Sequence, residues 1–242
     1  MPAERLTYQS RRERASEALR ARGIAALLLS PSSDLAYLAG YRIFSSERLT
    51  CLVVSADGGA TLVVPELESP RAKVAAPDLP QRTWGETEDP YALVASLVTA
   101  KGDVAVADQM WSLFVLRLQT AIRGRGFQLA SVVMRGLRMR KDAYEREALR
   151  AVSAAADRAF PRILEREFAG RTEHEIGVEL AALLRDEGHD EVTFTIVGSG
   201  PNGASPHHET GDRRIARGDT VVLDFGGTRE WYCSDITRTV HV

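Results

Sequence analysis

The sequence contains little cysteine, no long apolar segment and almost no net charge. Only Cys51 and Cys233 occur among the 242 residues, which excludes a disulfide framework and is typical of a protein in a reducing cytosol. The longest apolar runs, such as Ile24–Leu29, are much shorter than a bilayer span requires. The first residues are rich in Arg and Glu and lack the apolar core of a secretory signal. We therefore predict a cytoplasmic protein without a membrane partner.

The positive and negative charges nearly cancel, because the sequence contains 31 Lys and Arg and 33 Asp and Glu, which gives a formal net charge of -2. No long basic run concentrates positive charge in the way that a nucleic-acid-binding surface requires. Nucleic acid is therefore not an expected partner, and small, roughly neutral substrates suit the chain better. With 44% hydrophobic residues, the chain is long enough for two globular domains, each with its own core.

Residues 1–135 are predicted to form an α/β domain. A helix rich in Arg and Glu ends near Gly23. Two strand-like segments, 49–55 and 60–64, flank an Asp-Gly-Gly turn of the kind that closes hairpins. Short strand and helix patterns then alternate to the end of the domain. A basic, weakly patterned stretch at 135–141 is consistent with a surface connection or with the approach to a helix.

Residues 142–242 are predicted to form a second unit of two helices, a strand and a β-hairpin. The first helix starts at Asp142, and Pro161 is expected to kink or break it. The second helix starts at Thr172, which forms a capping pair with Glu175.

Three strands are predicted after these helices, at 192–197, 220–225 and 231–240. A loop rich in Gly, Pro and Asn, 198–212, connects the first of them to the hairpin.

Two acidic residues lie within the last two strands. Asp224 interrupts an apolar run in which an ionised carboxylate is costly to bury without a partner or a metal. If the hairpin closes around Arg229 and Glu230, Asp235 falls directly opposite Asp224. Two carboxylates in contact must share a proton or bind cations, and bridging oxygen ligands suit paired divalent ions such as Mn²⁺. The spacing alone equally allows Asp224 to cap a turn and Asp235 to pair with Arg238.

Three motifs, in order, resemble the prolidase and aminopeptidase P metallopeptidases. They are GPNGASPHH at 200–208, GDTVVLDFGG at 218–227 and YCSDITRTV at 232–240. Two upstream segments, 35–41 and 138–142, are similar to the same family, so the resemblance covers nearly the whole chain. It implies a creatinase/prolidase-like α/β N-terminal domain followed by an α+β pita-bread catalytic domain.

The resemblance implies that Asp224 and Asp235 are the first two metal ligands, with Asp235 bridging two divalent ions. Mn²⁺ is the expected metal, with Co²⁺ or Zn²⁺ as alternatives. His207 matches a histidine with which relatives contact the substrate and stabilise the transition state, so it is the expected catalytic and substrate-binding residue. His208 is interpreted as scaffold. The implied reaction is metal-assisted hydrolysis of the bond preceding proline, in a protein expected to form a homodimer.

Relatives complete this metal site with a His and two Glu further along, whereas the sequence ends at Val242, just after the second ligand. We therefore expect only the first half of the catalytic domain, and little or no hydrolysis of Xaa-Pro dipeptides by this polypeptide alone. Two alternatives stay open. One is an aminopeptidase P that acts on longer Xaa-Pro peptides, and the other is a binding protein that keeps the pita-bread fold without catalysis.

Overall fold

The computed structural model describes residues 7–242. They divide into two compact units, of which the first ends at Arg140 and the second covers Lys141–Val242. The predicted domain limits at 135 and 142 lie on either side of this division, and residue 135 lies inside a helix of the first unit. Among the described helices, none has the length and hydropathy that a membrane span requires.

The first unit is an α/β domain built on a mixed six-stranded sheet with the strand order β4-β3-β2-β1-β5-β6. The pairs β1–β2 and β2–β3 are antiparallel, and the other three pairs are parallel. Its strands are β1 (Ile24–Leu29), β2 (Cys51–Ser55), β3 (Ala60–Pro65), β4 (Gln81–Trp84), β5 (Asp103–Val106) and β6 (Phe127–Leu129). Its helices are α1 (Tyr8–Arg22), α2 (Ser33–Ala39), α3 (Ser69–Ala75), α4 (Pro90–Ser96), α5 (Ser112–Ala121) and α6 (Ser131–Met139).

Local signals in the sequence predicted several of these elements. Strands β2 and β3 form the hairpin predicted from the Asp-Gly-Gly turn. Helix α1 ends at Gly23, whose φ of 67° is a left-handed conformation that glycine adopts without a Cβ clash. Helix α6 occupies most of the basic stretch for which a surface connection and a helix were both open. Strand β1 is buried along its whole length at the centre of the sheet.

The second unit has the predicted order of two helices, a strand and a hairpin. Its elements are α7 (Ala143–Leu164), α8 (Glu173–Asp186), β7 (Glu191–Ser199), β8 (Thr220–Arg229) and β9 (Tyr232–His241), and the three strands form an antiparallel sheet in that order. The predicted break at Pro161 is wrong, because α7 continues through Pro161 to Leu164. Pro161 lies in the last turn of α7, so the single N–H donor that it removes is near the end of the helix.

One face of this sheet packs on the helices. On β8 the residues Val221, Leu223 and Phe225 are fully buried and belong to one apolar cluster with Ile176 and Leu180 of α8. Because successive strand residues point to opposite faces, the residues between them lie on the other, open face of the sheet. The fold therefore places Asp224 on the open face.

Candidate metal and substrate site

Asp224 and Asp235 share the open face of the hairpin but do not face each other directly. Asp224 is paired with Thr237, and Asp235 with Gly226. The predicted register, with the two aspartates directly opposite, is therefore wrong. The two carboxylates are diagonal neighbours, and such positions have Cβ atoms about 7 Å apart.

The turn explains the shift in register. The hairpin closes around Glu230 and Trp231, which have φ angles of 47° and 77°, one residue beyond the predicted turn. Positive φ at both central positions matches the right-handed twist of the strands on either side. The Asp190 carboxylate accepts a hydrogen bond from the Glu230 backbone N–H at 2.7 Å. This contact comes from the residue before β7 and holds the turn in place.

Asp224 is held in a defined orientation by its cross-strand neighbour. The Thr237 hydroxyl Oγ1 donates to Asp224 Oδ1 at 2.8 Å. The second carboxylate oxygen, Oδ2, receives no hydrogen bond from the described part of the chain, so it is available to a ligand.

A buried polar pair lies on the core side of β9, next to Asp235. His189 Nδ1 is 3.0 Å from the Leu184 carbonyl oxygen, and His189 Nε2 is 2.8 Å from Ser234 Oγ. Because a carbonyl can only accept, Nδ1 carries the proton and Nε2 accepts from the Ser234 hydroxyl. Burial lowers the pKa of His189. A neutral His189 therefore fixes the strand that carries Asp235.

A cleft of about 210 Å³ opens beside Asp224. It lies between the open face of the sheet and the loop that follows β7. Its lining residues are Ile196, Gly198, Gly203, Ser205, Pro206, His208, Val222, Asp224 and Thr237. The cleft therefore combines one predicted metal ligand with the histidine that was interpreted as scaffold.

The two adjacent histidines have different surroundings. The His207 side chain is exposed, and His207 is not one of the residues that line the cleft. The His208 side chain is 16% exposed, and its Nε2 lies 2.7 Å from Glu173 Oε2. The structure thus brings His208, rather than His207, to the cleft beside Asp224. The catalytic role of His207 stays a prediction.

Glu173, at the start of α8, is fully buried and organises this side of the cleft. Its Oε1 accepts hydrogen bonds from the backbone N–H and the hydroxyl of Ser199, both at 2.7 Å, and from Asn202 Nδ2 at 3.0 Å. Its Oε2 lies 2.7 Å from His208 Nε2. Burial on its own would raise the pKa of Glu173, but the hydrogen bonds that the carboxylate accepts outweigh this effect and lower the pKa to about 2.

An ion pair extends the same network along the loop. The Arg213 guanidinium donates to Ser199 Oγ and forms a two-point contact with the Asp219 carboxylate, at 2.6 and 3.2 Å. This contact lowers the pKa of Asp219. The loop between β7 and β8 is therefore anchored at both of its ends.

The chemistry of the aspartates fits part of a metal site. Carboxylate oxygens are ligands that hard divalent ions prefer, and both aspartates lie on one open face. Within residues 7–242, however, no three His, Cys, Asp or Glu side chains come together closely enough to hold a metal ion. The described residues therefore fit two ligands of a larger donor set.

Sequence reasoning missed Glu173. The capping pair beside it, Thr172 and Glu175, was visible and forms a reciprocal capping box. An acidic residue in the first turn of a helix is usually exposed and favourable there, so nothing in the local pattern indicates burial. The burial of Glu173 depends on its hydrogen-bond partners Ser199 and His208, which are 26 and 35 residues further along the chain.

Comparison with known proteins gives a matching family for each of the two units. Residues 11–140 match the family model of the creatinase/prolidase N-terminal domain, and residues 145–242 match that of metallopeptidase family M24. The chain is 43% identical over 240 residues to the probable dipeptidase PepE of Mycobacterium tuberculosis, with 97% of this chain and 64% of that protein covered. It is 28% identical over 220 residues to a Xaa-Pro dipeptidase of Pyrococcus horikoshii, with 90% of this chain and 60% of that protein covered.

Solved structures give the same result. The crystal structure of dipeptidase PepE from Mycobacterium ulcerans matches 97% of this chain with a TM-score of 0.92 at 42% identity. A recombinant prolidase from Thermococcus sibiricus matches 99% of it with a TM-score of 0.89 at 30% identity. The chain spans 64% and 66% of the lengths of these two proteins. The similarity therefore extends over both units of this chain.

Proposed function

This chain belongs to the prolidase group of metallopeptidase family M24, and from that premise we propose that it serves the hydrolysis of the peptide bond preceding proline in Xaa-Pro dipeptides. One observation carries the proposal: Asp224 lies in a cleft on the same open sheet face as Asp235. Relatives named dipeptidase and prolidase support the choice of substrate class.

In this proposal Asp224 and Asp235 hold divalent ions, with Mn²⁺ first and Co²⁺ or Zn²⁺ as alternatives. Such ions, when bound, lower the pKa of a coordinated water and polarise the scissile carbonyl. The Thr237 hydroxyl occupies one oxygen of Asp224 and leaves the other for the ligand. His207, on the rim of the loop, contacts the substrate.

A binding protein without catalysis is the second candidate. It is favoured by the finding that, in the described part of the chain, no group of three side chains could hold a metal ion. A peptidase of this family needs a pair of ions held by more protein ligands than two aspartates supply, whereas a binding protein needs none. Metal content therefore separates the two candidates.

The test is hydrolysis of alanylproline by the purified chain with added Mn²⁺, together with metal content by mass spectrometry. Asp224→Ala is compared with Asp212→Ala, which removes a loop carboxylate outside the cleft. We expect Asp224→Ala to lower the bound metal, and any turnover that the wild-type chain shows, by at least about 100-fold, and Asp212→Ala to change neither. Turnover that persists at the wild-type level in Asp224→Ala would contradict the proposal. A chain that binds no metal and shows no turnover would favour the binding protein.

The same experiment addresses specificity. An aminopeptidase P prefers a Xaa-Pro-Yaa tripeptide over the dipeptide, so alanylprolylalanine is assayed in parallel. The cytoplasmic location and the homodimer stay predictions from the sequence, and light scattering of the purified chain tests the homodimer.

A further inference from the structure

The two ring nitrogens of His208 have different surroundings, which determines where the proton lies. Nε2 is 2.7 Å from Glu173 Oε2. Because Glu173 has a pKa of about 2, it is a carboxylate at neutral pH and can only accept a hydrogen bond. Neutral His208 must therefore carry its proton on Nε2, and Nδ1 then has a free lone pair.

Nδ1 is available to a ligand. The described residues form no hydrogen bond to this atom, and it is not one of the buried polar atoms that lack a partner, so solvent reaches it. His208 lines the cleft beside Asp224. An accessible imidazole nitrogen on a residue that lines the cleft favours a ligand with an N–H donor.

We propose that His208 is a further substrate-binding residue, whose Nδ1 accepts a hydrogen bond from the amino end of a short peptide, and that Glu173 is the positioning residue that fixes this tautomer. In a Xaa-Pro dipeptide the amino end carries the only backbone N–H donors, because the proline nitrogen has none. This inference rests on the proposed function for the identity of the ligand. The tautomer rests on the structure alone.

Glu173 is suited to this role because it is itself immobilised. Its carboxylate is fully buried and bound to Ser199 at the end of β7 and to Asn202 in the short 3-10 helix Gly200–Ala204. The His208 backbone N–H also closes a turn onto the Ser205 carbonyl oxygen at 3.3 Å. Both the ring and its backbone are therefore held, and the acceptor is preorganised before a ligand arrives.

The variant Glu173→Gln tests the tautomer. The donors on Ser199 require the amide oxygen at the Oε1 position, so the amide NH₂ must face His208 Nε2. That nitrogen must then accept, and the proton moves to Nδ1. We expect ¹⁵N NMR to show the Nε2–H form in the wild type and the Nδ1–H form in Glu173→Gln.

The matched control is Glu175→Gln, which alters the capping box of the same helix, since the hydrogen bonds of the Glu175 side chain are to Thr172 and not to His208. It should keep the Nε2–H form. An Nδ1–H form of His208 in the wild type, or no change in Glu173→Gln, would overturn the role of Glu173.

Ligand binding tests the acceptor. Alanylproline and propionylproline differ only in the amino group, and their dissociation constants are measured by calorimetry. The wild type and Glu175→Gln should bind alanylproline more tightly than propionylproline. We expect the ratio of the two dissociation constants to be about tenfold smaller in Glu173→Gln, which is the effect of one hydrogen bond at a partly buried site.

His208→Gln provides a second variant in case Glu173→Gln perturbs folding. The amide NH₂ of the introduced side chain can still donate to Glu173, but this side chain has no acceptor where Nδ1 was. The variant should therefore lose the same preference with the carboxylate still satisfied. A preference equal to that of the wild type in both variants would overturn the role of His208.

The outcomes separate this inference from the proposed function. A chain that does not hydrolyse alanylproline but shows the Nε2–H form and the preference that depends on Glu173 contradicts the peptidase proposal only. An active peptidase whose His208 has the Nδ1–H form contradicts this inference only.

Discussion

The central strand of the first unit and the central strand of the second differ in what covers them. All six residues of β1 are buried, so both of its faces pack in the core and it carries only Ile, Ala and Leu. Strand β8 alternates, with Leu223 and Phe225 fully buried and Asp224 only partly so. A strand covered on both faces has no position for a charge, whereas a strand covered on one face can present a carboxylate at every second position. The candidate site therefore lies on the second sheet.

The largest effect that follows from this comparison is on stability. We expect Leu28→Ala, in the middle of β1, to lower the free energy of unfolding of the first unit by about 3–5 kcal/mol, because it leaves a cavity in a core covered on both sides. Hydrogen exchange of the β1 amides in increasing urea measures it. Leu116→Ala, at a position that is 63% exposed, is the matched control and should change stability by less than about 0.5 kcal/mol. Equal effects of the two variants would contradict the difference in burial.

The second prediction concerns the buried carboxylate of the second unit. The pKa of Glu173 is about 2, against 4.5 for an ordinary Glu, so the carboxylate stabilises the folded unit fully above pH 4.5. That contribution, on the order of 3 kcal/mol, is lost as the pH falls from 4.5 towards 2. Urea unfolding of the second unit as a function of pH measures it.

Glu173→Gln should remove this acid-dependent step, because the amide does not titrate. Glu175→Gln leaves Glu173 in place and should retain it. A step of the same size in the wild type and in Glu173→Gln would show that other carboxyl groups are responsible.

Local signals predicted much of the second unit, and distant contacts decided the rest. The capping pair at Thr172 and the strand around Asp224 depend on neighbours within a few residues, so the sequence shows them directly. The hairpin register depends on positive φ at Glu230 and Trp231 and on the hydrogen bond that the Glu230 backbone N–H donates to Asp190, 40 residues away. A shift of one residue in the turn moved Asp235 from a direct to a diagonal position, although it kept the correct face.

The site shows the same division. Motifs in the sequence predicted Asp224 and Asp235 as metal ligands, which stays a prediction, and the structure places both on the open face. The motifs predicted that His207 contacts the substrate and that His208 is scaffold, and they did not show that the His208 ring reaches Glu173 across 35 residues. Partners that are distant in the sequence have no fixed spacing, so no periodicity or motif could reveal them.

Substitutions on the open face of the sheet should have the smallest effect on stability, and they should change ligand binding instead. Thr237→Val keeps the shape of the side chain and removes the hydroxyl that donates to Asp224 Oδ1 at 2.8 Å. Because Thr237 is exposed, we expect stability to change by less than about 0.5 kcal/mol. The affinity for Mn²⁺ should fall by about tenfold, since a carboxylate ligand that loses its orienting hydrogen bond binds metal less well.

Thr239→Val, exposed on the same face one pair further along β9, is the control and should change neither quantity. If both variants bind Mn²⁺ as the wild type does, Thr237 does not orient Asp224 for a metal. If both lose stability instead, the outer face of β9 contributes to folding, and the contrast with β1 is smaller than the burial of the two strands indicates.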